Sequence, residues 1–83
     1  MAVTSTIALE VARFIARSPS PEQVIAFQPS PESVERAYAL IDAERAGTLS
    51  EDERQELESY LAMQHLMILA KAEAHQLLQQ KAS

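Results

Sequence analysis

The chain contains no cysteine, which excludes disulfides, zinc–thiolate sites, iron–sulfur clusters and cysteine nucleophiles. Its single glycine, Gly47, and its four aromatic residues are too few for a sheet protein with many turns. Neither a glycine-rich phosphate loop nor a nucleophile elbow is present. Long apolar runs are also missing: the most hydrophobic stretch, LAMQHLMILA at residues 61–70, is about half the ~20 residues that span a bilayer. Residues 1–20 hold Glu10, Arg13 and Arg17 inside an amphipathic pattern, without the basic start and apolar run of a secretory leader. A cytoplasmic protein is the expectation.

What is present is a helix-forming composition, 47% hydrophobic and rich in Leu, Ile, Val, Ala and Met. At 83 residues the chain makes one domain, 1–83, of a size that buries only about 60% of its unfolded surface. A partner subunit is the cheapest further source of stability. The net charge is −5, unevenly placed: residues 22–58 carry ten acidic side chains against Arg36, Arg45 and Arg54, a local balance of −7. Such a surface repels a phosphate backbone, because nucleic-acid affinity comes largely from Lys and Arg displacing counterions. Direct nucleic-acid binding is therefore not expected.

The stretch PSPEQVIAFQPSPESV, residues 19–34, repeats one set of signals ten residues apart. Ser20 and Ser30 read as N-caps, and Pro21 and Pro31 occupy first helical positions, where a missing N–H is harmless. Glu22 and Glu32 favour the positive end of a helix dipole, and Gln23 is placed to close a capping box. Pro19 and Pro29 end the helices before them. Further on, Gly47 suits a left-handed helix end, and SEDE at 50–53 is a second capping box. These signals divide the chain into four helices, about 5–17, 21–27, 31–46 and 51–80, with 1–4 and 80–83 frayed. The expected architecture is all-α, a hairpin of the two long helices around Gly47 with two shorter helices packed across it.

The expected inward stripes are Ile7, Val11, Phe14 and Ile15 in the first helix and Val34, Ala37, Tyr38 and Ile41 in the third. The outer side of the first helix carries Glu10, which can face Arg13 or Arg17. Phe27 packs inward from the second helix. In the fourth, Leu57, Tyr60 and Leu61 face inward, and Leu57, Leu61, Ile68 and Ala72 make one stripe. Residues 61–70 are apolar almost all round, and a helix hydrophobic on every side is buried on every side. Three short helices cannot surround it, so Leu61, Met63, His65, Leu66, Met67 and Leu69 are expected at a subunit or partner interface.

Little here carries chemistry. His65 and His75 are nearly three turns apart, too far to share a metal ion. His65 reads as an interface residue, Tyr38 and Tyr60 as packing residues with hydroxyls near solvent, and no residue is assigned a catalytic or cofactor-binding role. DAERAGTLSEDE, residues 42–53, has the length and part of the pattern of an EF-hand calcium loop, with Asp42, Glu44, Thr48, Ser50 and Glu53 as candidate ligands and Gly47 at the sixth position. It lacks a ligand at the fifth position, where Ala46 stands, and Glu44 is longer than the usual Asp or Asn. Gly47 as a helix end and Ser50 with Glu53 as a capping box explain the same residues without a metal.

The doubled PSPE, then GTLSEDERQELESYL, then HLMILAKAEA resembles a set of small bacterial proteins, common in cyanobacteria. Their pattern is close to PSPE…F.PS.E…G.LT.EE..EL..YL..EHL...LKA.A, and the similarity covers about residues 17–74. Gln64 stands where that pattern has an acid, and Met67 and Ile68 where it has basic residues, so the fourth helix here is greasier. Members are often encoded beside nuclease or toxin-like genes, so the resemblance implies an antitoxin-like or accessory role. The expectation is a non-enzymatic protein–protein interaction module without cofactors, whose acidic surface (Glu44, Glu51, Asp52, Glu56, Glu58) meets a basic partner such as a nuclease. The alternatives are a homo-oligomeric scaffold assembled through the fourth helix and a degenerate, calcium-responsive helix–loop–helix.

Overall fold

The computed structural model describes residues 6–82. Four helices follow one another: α1 Thr6–Ala16, α2 Pro21–Ala26, α3 Pro31–Ala46 and α4 Glu51–Ala82, with no strand among the described residues. The protein is all-α. Residues 80–82, expected to fray, are still helical, whereas the expected fraying at 1–4 and at Ser83 lies outside the described residues.

Each boundary has a local cause. The Ser20 hydroxyl accepts the Gln23 N–H at 3.2 Å while the Gln23 side-chain oxygen accepts the Ser20 N–H at 2.8 Å, which closes the box that starts α2. Ser50 and Glu53 do the same for α4, at 3.2 and 2.9 Å. Gly47 ends α3 at φ 73°, returning its N–H to the carbonyls of Ala43 and Glu44. A Cβ there would meet nothing within 4 Å, so the backbone conformation, not crowding, calls for glycine. α1 ends at Ala16, before Pro19 as expected, and Ser18, one residue before Pro19, turns the chain at φ 53°, a region a non-glycine residue enters at a cost of about 1–2 kcal/mol.

α4 is the spine. At 32 residues and 1.5 Å rise it runs about 48 Å, nearly the full 52 Å length of a molecule only 24 by 20 Å across. α1, α2 and α3 all pack on it, the short α2 most extensively. The radius of gyration, 15.0 Å, exceeds the roughly 12 Å of a compact chain of this length. The core is correspondingly thin: among the described residues its buried apolar side chains are Ile7, Val11, Ala37, Leu40, Leu57 and Ala74. Phe14 and Phe27, half-buried, add a tilted ring contact at 4.7 Å that ties α1 to the segment after α2.

Several inward faces differ from the expected stripes. Ala37 is buried as expected, but Tyr38 is 65% exposed, because α3 turns Ser33 and Leu40 inward beside Ala37, a rotation supported by hydrogen bonds from its start to Glu10 of α1. Ile15 is also exposed. On α4 the inward side runs through Leu57, Tyr60, Met63, Met67, Ala70 and Ala74, while Leu61, Ile68 and Ala72 are exposed. A segment apolar all round has no amphipathic signal of its own, so which side turns inward follows from where the other helices pack on it.

Candidate interaction surface

The side of α4 turned away from the other helices carries exposed large apolar side chains. Leu61 (48%), Leu66 (42%) and Leu69 (52%) lie open on it, with Ala62, His65 and Ala72 exposed between them, and Ile68 (59%) is exposed at its edge. Single exposed leucines are ordinary, but a contiguous patch marks a contact site on a soluble protein. The structure divides the expected interface set: Leu61, His65, Leu66 and Leu69 face outward, whereas Met63 and Met67 turn toward α1 and the α2–α3 segment. There they line a cleft of about 220 Å³ with Ile7, Phe27 and Pro29, beside Tyr60, Gln64, Lys71 and the exposed Ile68. That volume falls below the roughly 300–1,000 Å³ of small-molecule pockets.

The acidic side chains lie mainly on the first turns of α4 and the end of α3. Glu44, Glu51, Asp52 and Glu58 are exposed. Glu56 is committed within the chain: its two oxygens accept from the Arg36 guanidinium at 2.7 and 2.9 Å. That bidentate pair braces α3 against α4 and raises the Arg36 pKa above its already high ordinary value, the planar guanidinium matching the carboxylate in geometry. Glu51 lies 3.8 Å from Arg54. Four of the five residues expected to form an acidic partner surface therefore remain open.

Residues 42–53 serve capping. Asp42 and Glu44 stand within α3, the Thr48 hydroxyl donates to the Ala43 carbonyl at 3.3 Å, and Ser50 caps α4. Glu53 accepts from the Ser50 backbone and approaches Arg36 at 3.9 Å. Its hydrogen bonds with Ser50 hold its carboxyl below the ordinary range. Among the described residues no group of three or more His, Asp or Glu side chains is placed to hold a metal ion. His65 and His75 are both exposed on α4.

One polar cluster went unanticipated. Glu10 does not turn to Arg13 or Arg17: its oxygens accept the Ser30 N–H at 3.0 Å and the Ser33 hydroxyl at 2.6 Å. Burial pushes this carboxyl up, but the hydrogen bonds from Ser30 and Ser33 outweigh it and leave the pKa below its ordinary 4.5, since each favours the charged form. The signal was available in the spacing, because Glu10 falls between Ile7 and Val11 on the inward side of α1, where an acid requires a partner.

No helix among the described residues is long and apolar enough to cross a membrane. Comparison with known proteins adds no relative: no family model, curated protein or solved structure matches the chain. Fold and surface alone define what it is, a small all-α protein with an open apolar helix face bordered by acid.

Proposed function

We propose that this protein is a non-enzymatic, cytoplasmic protein–protein interaction module, and that α4 is its docking element. The observation that carries the reading is the open apolar face of α4, with Leu61, Leu66, Ile68 and Leu69 between 42% and 59% exposed. The hairpin of α3 and α4, braced by Arg36 and Glu56, is the scaffold that presents it. In its most specific form the module is antitoxin-like, an accessory regulator whose exposed Glu44, Glu51, Asp52 and Glu58 meet a basic partner such as a nuclease. Acidic surface of this kind speeds encounter with a basic cleft and loses that advantage in salt. The resemblance to small bacterial proteins encoded beside nuclease or toxin-like genes supports the same direction.

The test is capture from the native cell by the tagged full chain, run beside a Leu66→Glu/Leu69→Glu variant. A basic protein held by the wild type, released by salt and lost in the variant while its helical circular dichroism persists, is the expected result. A partner retained equally by both overturns the docking role of α4. A homo-oligomeric scaffold is the second reading and rests on the same face.

A further inference from the structure

The exposed face of α4 has a spacing that bears on what covers it. Glu58, Ala62, His65, Leu69, Ala72 and Gln76 are all exposed and follow one another at steps of four, three, four, three and four residues, the alternation that keeps one seam of a helix against another helix. The series is also symmetric about the level of Met67. Turned end for end, it sets Glu58 opposite Gln76, Ala62 opposite Ala72 and His65 opposite Leu69. We propose, building on the interaction-module reading, that the occupant of this face is a second copy of the chain, paired antiparallel with its two-fold axis at Met67.

Size, charge and polarity agree with that register. Ala62 against Ala72 leaves room for the axes to approach toward the closer end of the roughly 8–10 Å range of packed helices. Leu66 and Ile68 flank the axis and meet their own counterparts, as an isologous contact requires. Glu58 meets Gln76, whose amide donates to its carboxylate. Residues 51–60 of α4 carry five acids and one arginine, a balance of −4, whereas residues 61–82 carry Lys71, Lys81 and Glu73, a balance of +1. An antiparallel pair lays each acidic half along the other copy's weakly basic half and opposes the helix dipoles favourably. A parallel pair stacks −4 on −4. α1, α2 and α3 pack on the opposite side of α4 and leave the seam clear. From Glu58 to Gln76 the seam is about 27 Å long. A single helix pair of that length sits at the small end of specific interfaces, so a dissociation constant of order 10 μM is expected.

Because the chain has no cysteine, single-cysteine variants report the register cleanly. Glu58→Cys and Gln76→Cys full-length proteins, each alone and then mixed, are treated with a short bismaleimide, and the wild type is sedimented across its micromolar range. The proposal expects a concentration-dependent dimer, abundant cross-linking in the mixture, and little in either variant alone, whose thiols lie about 27 Å apart along the antiparallel axis. Leu69→Glu abolishes the dimer and the mixed cross-link while keeping its helical signal. Self-cross-linking of Glu58→Cys as strong as in the mixture means a parallel pair and overturns the proposal. So does a wild type that stays monomeric at several hundred micromolar. If that monomer still captures a different protein through Leu66 and Leu69, the interaction-module reading stands and only the second copy is wrong.

Discussion

The two PSPE corners share their letters and differ in how they are held. At the first, Ser20 caps α2 and Gln23, three residues on, returns the bond to the Ser20 N–H, so the corner closes within four consecutive residues. At the second, Ser30 accepts the Ser33 N–H at 3.2 Å, but the residue three positions after the cap is a serine and cannot reach back. The Ser30 N–H is taken instead by Glu10, twenty residues earlier on α1. One corner is a local turn, whereas the other is a tertiary joint that fixes α3 against α1. The difference arises from a single position, Gln23 in the first copy and Ser33 in the second.

The sharpest way to break the comparison is Glu10→Ala. It leaves the Ser33 hydroxyl, in a residue only 2% exposed, and the part-buried Ser30 N–H without their acceptor. Losing charge-assisted bonds in such a place costs about 2–3 kcal/mol, and at about 4–8 °C per kcal/mol for a domain of this size the melting temperature falls by about 8–24 °C. Ser33→Ala, which removes one donor and keeps the carboxylate bonded to Ser30, loses about 1–2 kcal/mol. The double variant should lose less than the sum, with a coupling of about 1 kcal/mol in a double-mutant cycle by thermal or urea unfolding. Strict additivity means that the two side chains do not act together.

Much of this fold is legible in the residues because its boundaries are local. Ser20, Gln23, Ser50, Glu53 and Gly47 act on backbone groups within a few positions, so spacing alone locates the ends of α2, α3 and α4. Helix rotation is not local. Tyr38 and Ala37 are adjacent and both pass as core residues, and which of them turns inward follows from tertiary contacts, the Glu10–Ser33 bond to α1 and the Arg36–Glu56 pair to α4, that no local signal reports. That some of the apolar residues of α4 stay exposed is legible, since three short helices cannot surround the segment. Their division into Met63 and Met67 on the inner side and Leu61, Leu66 and Leu69 on the outer depends on where α1 and α2 dock. The exposed Ile68, equally apolar, shows how little the segment itself specifies.

A smaller effect sharpens the same comparison through pH. The folded pKa of Glu10 lies below its ordinary 4.5, so the stability it contributes is present above that value and is lost as pH falls through the folded pKa. Glu10→Gln has no such titration. The wild type should exceed Glu10→Gln in stability near neutrality, and the gap, about 1 kcal/mol or less for a side chain that still offers one acceptor, should close below pH 4.5. Taking the difference between the two proteins removes the contribution of Glu53, also lowered and common to both. A gap that stays constant into strong acid would show that the Glu10 charge is not what holds the joint.

The smallest effect belongs to the first corner. Gln23→Ala removes the return bond to the Ser20 N–H, yet that bond is exposed, and water replaces the lost acceptor at once. The helix keeps its other determinants: the Ser20 hydroxyl on the Gln23 N–H, which survives because it is backbone, Pro21 at the first position, and Glu22 near the dipole. Most of the stability of α2 also comes from its extensive packing on α4 and not from its cap, since six residues are far too few to hold a helix alone. The expected loss is therefore a few tenths of a kcal/mol, about 0.5 at most, a shift of about 2–4 °C that careful differential scanning resolves. The ratio of this loss to that of Glu10→Ala is the quantity that separates the corners. If Gln23→Ala proves as damaging as Glu10→Ala, the repeat is two equivalent turns after all, and the rotation of α3 must be held by its contacts with α4 alone.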